Sequence, residues 1–231
     1  MLKKSDYKLL LMDVDMTLLD FDAGEKEALK EALACYHYQI TSKDLDSYHE
    51  INESYWRRFE RGEIKKEAIY INRFRDFLKE LKLPLDPEKV SRTYMDHICL
   101  QTQLIPGAKE VLQWLKDKGY QLAVVTNGTA RNQESRLKLS GLEKYFDKIF
   151  ISEKIGTPKP DPAFFSYVLD QFKGVSKENI LLVGDSLTSD IKGGLQSGID
   201  TCWIDWKKQG TDLKTTYIIH DIKELPSLLE K

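Results

Sequence analysis

Asp13-Val14-Asp15-Met16-Thr17 closes the apolar run Tyr7–Met12 and puts two carboxylates two residues apart where a buried strand should end. Their charges repel, and burial raises the cost unless a cation is present. A divalent metal removes the difficulty and leaves one carboxylate able to act as a nucleophile. Alone, the pair also fits a solvated acidic turn. Three later stretches follow the same logic. Thr126-Asn127-Gly128 comes after Val124-Val125 and offers a hydroxyl, an amide and a flexible backbone to phosphate oxygens, or else is a plain strand-to-helix turn. Lys159 lies in Gly156-Thr157-Pro158-Lys159-Pro160-Asp161-Pro162, where prolines stiffen the loop and aim the ammonium; any single lysine can equally be a solvated one. Gly184-Asp185-Ser186-Leu187-Thr188-Ser189-Asp190 sets one acid at a strand end and a second five residues on, a pattern that a decorated helix N-terminus also gives.

These residues need elements to hold them. Short continuous apolar runs at Tyr7–Met12, Gln121–Val125, Lys148–Ile151, Asn179–Val183 and Thr201–Ile204 suit a parallel sheet buried on both faces, with Tyr217–Ile219 as an edge strand. Helical patterns alternate with them: one opened by Pro106 and closed by Gly119, another from about Ala130 to Ser140. The expectation is an α/β, Rossmann-like doubly wound parallel sheet with right-handed crossovers. Residues 18–103 break the rhythm and read as four helices: Gly24 to about Tyr38, one capped by Thr41 or Ser42 and interrupted by Gly62, Ile64–Leu81, and one with Asp86 as N-cap and Pro87 in its first turn. Residues 1–17 and 104–231 should therefore form the core, with 18–103 as an inserted helical-bundle cap. An insertion after the first strand is expected over the carboxyl ends of the sheet, where open α/β folds hold ligands.

The net charge of -2 argues against a partner held by a basic field, such as polymeric nucleic acid. Three scattered cysteines without a CxxC disfavour a disulfide framework or zinc and fit a reducing cytoplasm. The N-terminal apolar run, broken by Asp13 and Asp15, is too short for a membrane segment.

In order and on suitable strands, DxDxT, a strand-end threonine, a lysine and GDxxxxD resemble the haloacid dehalogenase (HAD) superfamily from about Tyr7 to Trp203. The resemblance implies a phosphomonoester hydrolase in which Asp13 becomes an aspartyl-phosphate. Asp15 would protonate the leaving oxygen and then activate water. Asp13, the backbone carbonyl of Asp15, and Asp185 would hold magnesium, with Asp190 outside that set or orienting Lys159. Thr126 and Lys159 would hold the transferring phosphoryl group, helped by Asn127. Asp15 separates such hydrolases from the metal-free dehalogenase branch, and Met16 occupies the motif's variable position. A finer resemblance, in Asp20–Ala23, Ile51–Gly62, Asp190–Gly194 and Thr201–Trp203, is to bacterial HAD nucleotidases that act on pyrimidine 5′-nucleotides. It implies a nucleoside monophosphate as substrate. Trp56, with Tyr55 and Phe59, could stack on a base and Arg57, Arg58 or Arg61 could anchor it, unless the aromatics merely pack the bundle. The chain is expected to be a monomer or homodimer. Rival readings are a phosphatase for phosphoglycolate or a sugar phosphate, a phosphomutase, and a non-catalytic phosphate-binding regulator, which would not hydrolyse a generic aryl phosphate.

Overall fold

The computed structural model of the chain describes residues 6–230. β1 (Leu9–Met12) leads into α1 (Phe21–Ala34), α2 (Ser42–Glu60), α3 (Lys66–Glu80) and α4 (Pro87–Ile98). Next come α5 (Ala108–Asp117), β2 (Gln121–Thr126), α6 (Ala130–Leu139), β3 (Lys148–Ile151), β4 (Ile180–Gly184), β5 (Asp200–Ile204) and β6 (Tyr217–Ile219), with shorter helices among the later strands. The chain falls into two compact units, Met1–Asp20 with Leu104–Lys231, and Phe21–Gln103.

The first unit is built on a six-stranded parallel sheet in the order β3-β2-β1-β4-β5-β6. Its apolar runs are unbroken because both faces are covered. Leu10 and Met12 of β1, Leu122 and Val124 of β2, and Leu181 and Val183 of β4 enter one buried cluster. The intervening Leu9, Leu11, Ala123, Val125, Ile180 and Leu182 enter a second. Alternate residues of a strand point to opposite faces, so a one-residue slip would exchange the two sets. Leu11 stands opposite Ala123 on one side and Leu182 on the other, and this register brings the ends of β1, β2 and β4 level. Gly107, with φ of 91°, caps α5, so Pro106 precedes the helix rather than opening it.

The second unit is helical. Thr41 caps α2 in a reciprocal box with Asp44, and Asp86 caps α4 with Pro87 in its first turn. Helix α1 runs from Phe21 to Ala34, earlier at both ends than the sequence pattern suggests; His37, at φ of 58°, supplies the left-handed residue after it. Tyr48, Phe74, Phe77 and Tyr94 fill the centre. A polar chain runs through this core: buried Arg73 donates to Asn52 Oδ1 at 2.5 Å, Asn52 Nδ2 donates to Glu25 Oε2 at 2.5 Å, and Glu25 Oε1 meets His49 Nδ1 at 2.9 Å. The hydrogen bond to Glu25 raises His49, and burial raises Glu25, above their ordinary values. Both groups bind protons more tightly in the folded state, so their contribution to stability falls as pH rises. The His49 contribution is whole below about 6.5 and is lost as pH climbs through its higher folded-state value. We expect the unfolding free energy to fall more with rising pH in the wild type than in His49→Gln, by on the order of 0.5 kcal/mol, since solvent screens this partly exposed pair. Parallel curves would remove His49 from the pH dependence. No helix among the described residues is long and apolar enough to cross a membrane.

Candidate active site

Strand order reverses beside β1: the chain runs outward through β2 and β3 on one side and through β4, β5 and β6 on the other. Such a switch point opens a crevice at the strands' carboxyl ends. Asp13 leaves β1 there, its N–H donating to Val183 O at 2.9 Å, and Asp185 leaves the adjacent β4 directly after Gly184.

Lys159 reaches this point from a distant loop and is 1% exposed. Its ammonium donates to Asp13 Oδ1 at 2.7 Å, Asp190 Oδ1 at 2.6 Å and Val125 O at 2.7 Å. Three acceptors match its three N–H groups. The prolines are not its sole support. Asn127 Oδ1 accepts the Lys159 backbone N–H at 2.8 Å, and Asn127 Nδ2 donates to the Lys159 carbonyl at 2.9 Å. The Asn127 amide, expected from sequence to face phosphate, thus grips the lysine backbone with both ends.

Asp190 reaches Lys159 because Leu187–Ile191 winds as a π-helix, with the Ile191 N–H donating to Ser186 O at 3.1 Å. Its other oxygen, Oδ2, accepts from Ser186 N–H at 3.2 Å. A Cβ on residue 184 would overlap the Asp190 carboxylate, which explains the glycine before Asp185. Oxygens of Asp13, Asp185 and Asp190 all lie within 4.8 Å of one another. Burial pushes Asp13 up to about 7 against the pull of Lys159. Burial also works to lower Lys159, but Asp13 and Asp190 overcome it and hold the ammonium above its ordinary value. One ammonium cannot neutralise three clustered carboxylates. The remaining need is for a cation with hard oxygen ligands, and Asp13 and Asp185 fit it, since Asp190 is already bonded through both oxygens.

Thr126, at the end of β2, is buried. Its hydroxyl accepts from Gly128 N–H at 3.1 Å and from Gln133 Nε2 at 2.9 Å. With both lone pairs filled, its own proton is left to donate. Asp15 is held by two residues that its motif gives no hint of: Gln133 Nε2 donates to Oδ2 at 2.7 Å and Arg136 Nη1 to Oδ1 at 2.5 Å. The intervening Met16 has φ of 57°, a left-handed conformation uncommon for a residue with a side chain. Trp206 Nε1 donates to the Met16 carbonyl at 2.7 Å, and Trp203 Nε1 to the Asp185 carbonyl at 2.8 Å, so each acid loop is pinned by an indole.

The structure therefore gathers Asp13, Asp15, Thr126, Asn127, Lys159, Asp185 and Asp190 within the sheet unit. Trp56 belongs to the helical unit, half-buried and edge-on to Phe59 at 5.9 Å between ring centroids. Tyr55 is a packing residue, buried with its hydroxyl on Asp76 at 2.6 Å. The neighbouring arginines have acidic partners: Arg57 pairs with Glu53, and Arg58 and Arg61 with Glu63.

The HAD-hydrolase YfnB of Bacillus subtilis is 37% identical over 96% of this chain and 95% of its own length. Its crystal structure, bound to magnesium, superposes with a TM-score of 0.93 over 97% of this chain and 99% of that one. The pyrimidine 5′-nucleotidase PynA of Streptococcus pneumoniae is 36% identical over 97% of this chain and 96% of its own length. The pyrimidine 5′-nucleotidase YjjG of Escherichia coli is 29% identical over 96% and 97%. The family described as haloacid dehalogenase-like hydrolase matches residues 10–204, from β1 to the end of β5, and with the strand-end acids and buried lysine in place the chain belongs to that family.

Proposed function

We propose that the chain is a magnesium-dependent phosphomonoesterase that works through an aspartyl-phosphate and acts on pyrimidine nucleoside 5′-monophosphates. The observation that carries the phosphatase reading is the seating of Lys159 between Asp13 and Asp190, with Asp185 in the same carboxylate cluster. A nucleophile meets phosphorus most easily where its charge and that of the phosphate are both offset. Asp13 attacks phosphorus, its carboxylate oxygen forming the new P–O bond as the ester P–O bond breaks. Asp15 gives a proton to the departing oxygen. Water then attacks the aspartyl-phosphate, Asp15 takes its proton, and phosphate leaves with Asp13 restored. Thr126 donates to a phosphoryl oxygen throughout, and Lys159 shares its ammonium with that group. Magnesium, held by Asp13, Asp185 and the carbonyl of Asp15, would neutralise phosphate charge and orient it for in-line attack.

Chelation should abolish turnover of a generic aryl phosphate, and added magnesium should restore it. Undiminished activity in excess chelator would refute the metal's part, while no activity with magnesium would favour a non-catalytic regulator.

The nucleotide reading draws on the relatives PynA and YjjG, together with Trp56 and Phe59 on α2, which could take the face of a base. The carboxylates and Lys159 engage only the phosphoryl group, so selection among leaving groups is assigned to the helical unit. We expect kcat/KM for dUMP and dTMP to exceed that for phosphoglycolate and hexose phosphates by about tenfold or more, or 1.4 kcal/mol in the transition state. Trp56→Ala should narrow that gap and leave aryl phosphate hydrolysis within about threefold. A tenfold preference for phosphoglycolate or a hexose phosphate would end the nucleotidase reading without touching the phosphatase one.

A further inference from the structure

Helix α6 turns an unusual face toward the sheet. Its buried residues are Gln133, Arg136 and Leu137, so polar side chains dominate the face that ordinarily carries apolar ones. Arg136 is 2% exposed. An arginine is seldom buried so completely without a partner that needs it. That partner is Asp15: each of its oxygens receives one donor from α6, Oδ1 from Arg136 at 2.5 Å and Oδ2 from Gln133 at 2.7 Å. The same Gln133 nitrogen also donates to Thr126 Oγ1 at 2.9 Å, so its two hydrogens join Asp15 to the threonine at the end of β2. The chain makes room for this link, since a Cβ on residue 128 would overlap the Gln133 carboxamide.

We propose that Gln133 and Arg136 are positioning residues that set where the Asp15 carboxyl group delivers and collects its proton. The inference rests on the acid–base reading of Asp15. Asp15 sits in a short loop beyond the sheet, half-buried, where a lone aspartate would have several rotamers open to it. Donors on both oxygens select one. A carboxyl group has about four acceptor directions, so two remain for the proton and for the leaving oxygen or water. In the first step the proton passes from Asp15 to the leaving oxygen as the ester P–O bond breaks; in the second, Asp15 takes a proton from the attacking water. Proton transfer needs heavy atoms about 2.6–3.2 Å apart, so a carboxyl group that wanders by 1 Å loses much of its effect. The link through Gln133 holds Asp15 and Thr126 in a fixed relation, so that acid and phosphate donor address the same bound ester.

The test compares two esters in Arg136→Met, Arg136→Lys, Gln133→Leu and Asp15→Asn. One is 2,4-dinitrophenyl phosphate, whose leaving group departs without a proton; the other is dUMP, whose alkoxide does not. The parameter is kcat/KM, which spans the steps through formation of the aspartyl-phosphate. Arg136→Met and Gln133→Leu should lose about 10- to 100-fold on dUMP, part of what a positioned acid supplies. The loss in Arg136→Met on the dinitrophenyl ester should stay under about threefold; Gln133→Leu, which also frees Thr126, should lose more on that ester but still clearly less than on dUMP. Asp15→Asn should show the same selectivity more strongly, and Arg136→Lys should recover part of the loss. Should Arg136→Met not fold, Arg136→Lys, which keeps the charge and touches Asp15 without Thr126, carries the comparison by the same ratio of losses. Equal losses on both esters in the α6 variants, with Asp15→Asn still selective, would overturn the positioning role and leave the acid–base reading standing. Equal losses in Asp15→Asn itself would overturn both.

Discussion

Asp13→Asn should lower turnover of every phosphomonoester by about 10⁴-fold or more while the protein stays folded. The amide keeps the size of the side chain and an oxygen for the Lys159 ammonium, now 2.7 Å from Asp13 Oδ1, but it cannot form the acyl phosphate. Folding is not at risk, because burial already disfavours the Asp13 charge and holds its carboxyl at about 7. Removing that charge relieves a crowded group of acids. The decisive measurement pairs steady-state rates with acid-quenched mass spectrometry during turnover. The wild type should carry a phosphate adduct on the peptide containing Asp13, and the variant should carry none. An adduct on another residue, or substantial activity in a variant free of wild-type enzyme, would remove Asp13 from the nucleophile's place.

The sequence makes Asp13 easy to find and its supports hard to find, for physical reasons. A strand buried on both faces must be apolar at every position, so the first charged residues after Leu9–Met12 and Ile180–Gly184 stand out against their background. The same reasoning marks Thr126. Gln133 and Arg136 have no such background, because polar residues on a helix are normally solvated. The one available signal was that α6 has Leu137 alone as a buried apolar residue, too little to pack a helix against a sheet. Asn127 illustrates a different limit: an amide after a strand can donate to phosphate or grip a backbone, and only the 2.8 and 2.9 Å bonds to Lys159 distinguish the two. Met16, variable in the motif, proves to be a left-handed residue whose carbonyl is fixed by Trp206, a partner 190 residues away in sequence. In the helical unit, the arginine cluster is bound to Glu53 and Glu63, a pairing that charge spacing alone did not decide.

Lys159→Met should damage both folding and catalysis, and a second substitution should separate the two. Lys159 is 1% exposed, and its ammonium is the group that pays for burying Asp13 and Asp190 side by side. Removing one partner of such a group typically costs about 3–5 kcal/mol, a large share of the roughly 5–15 kcal/mol that holds a domain together. Methionine fills much of the same volume, so the loss is chiefly electrostatic. Adding Asp190→Asn removes one of the stranded charges, and the double variant should regain much of the lost stability, a coupling that appears as strong non-additivity in a double-mutant cycle. Catalysis should not return with it. The phosphoryl group would still lack its cation, and a loss of about 10³-fold in kcat/KM is expected for both single and double variants. Urea denaturation in chelator, run beside kinetics in magnesium, measures the two effects independently. If the double variant were no more stable than Lys159→Met, the ammonium would not be the counter-charge of this carboxylate cluster. If it regained activity along with stability, Lys159 would be a structural residue, and phosphate recognition would have to come from Thr126 and the metal alone.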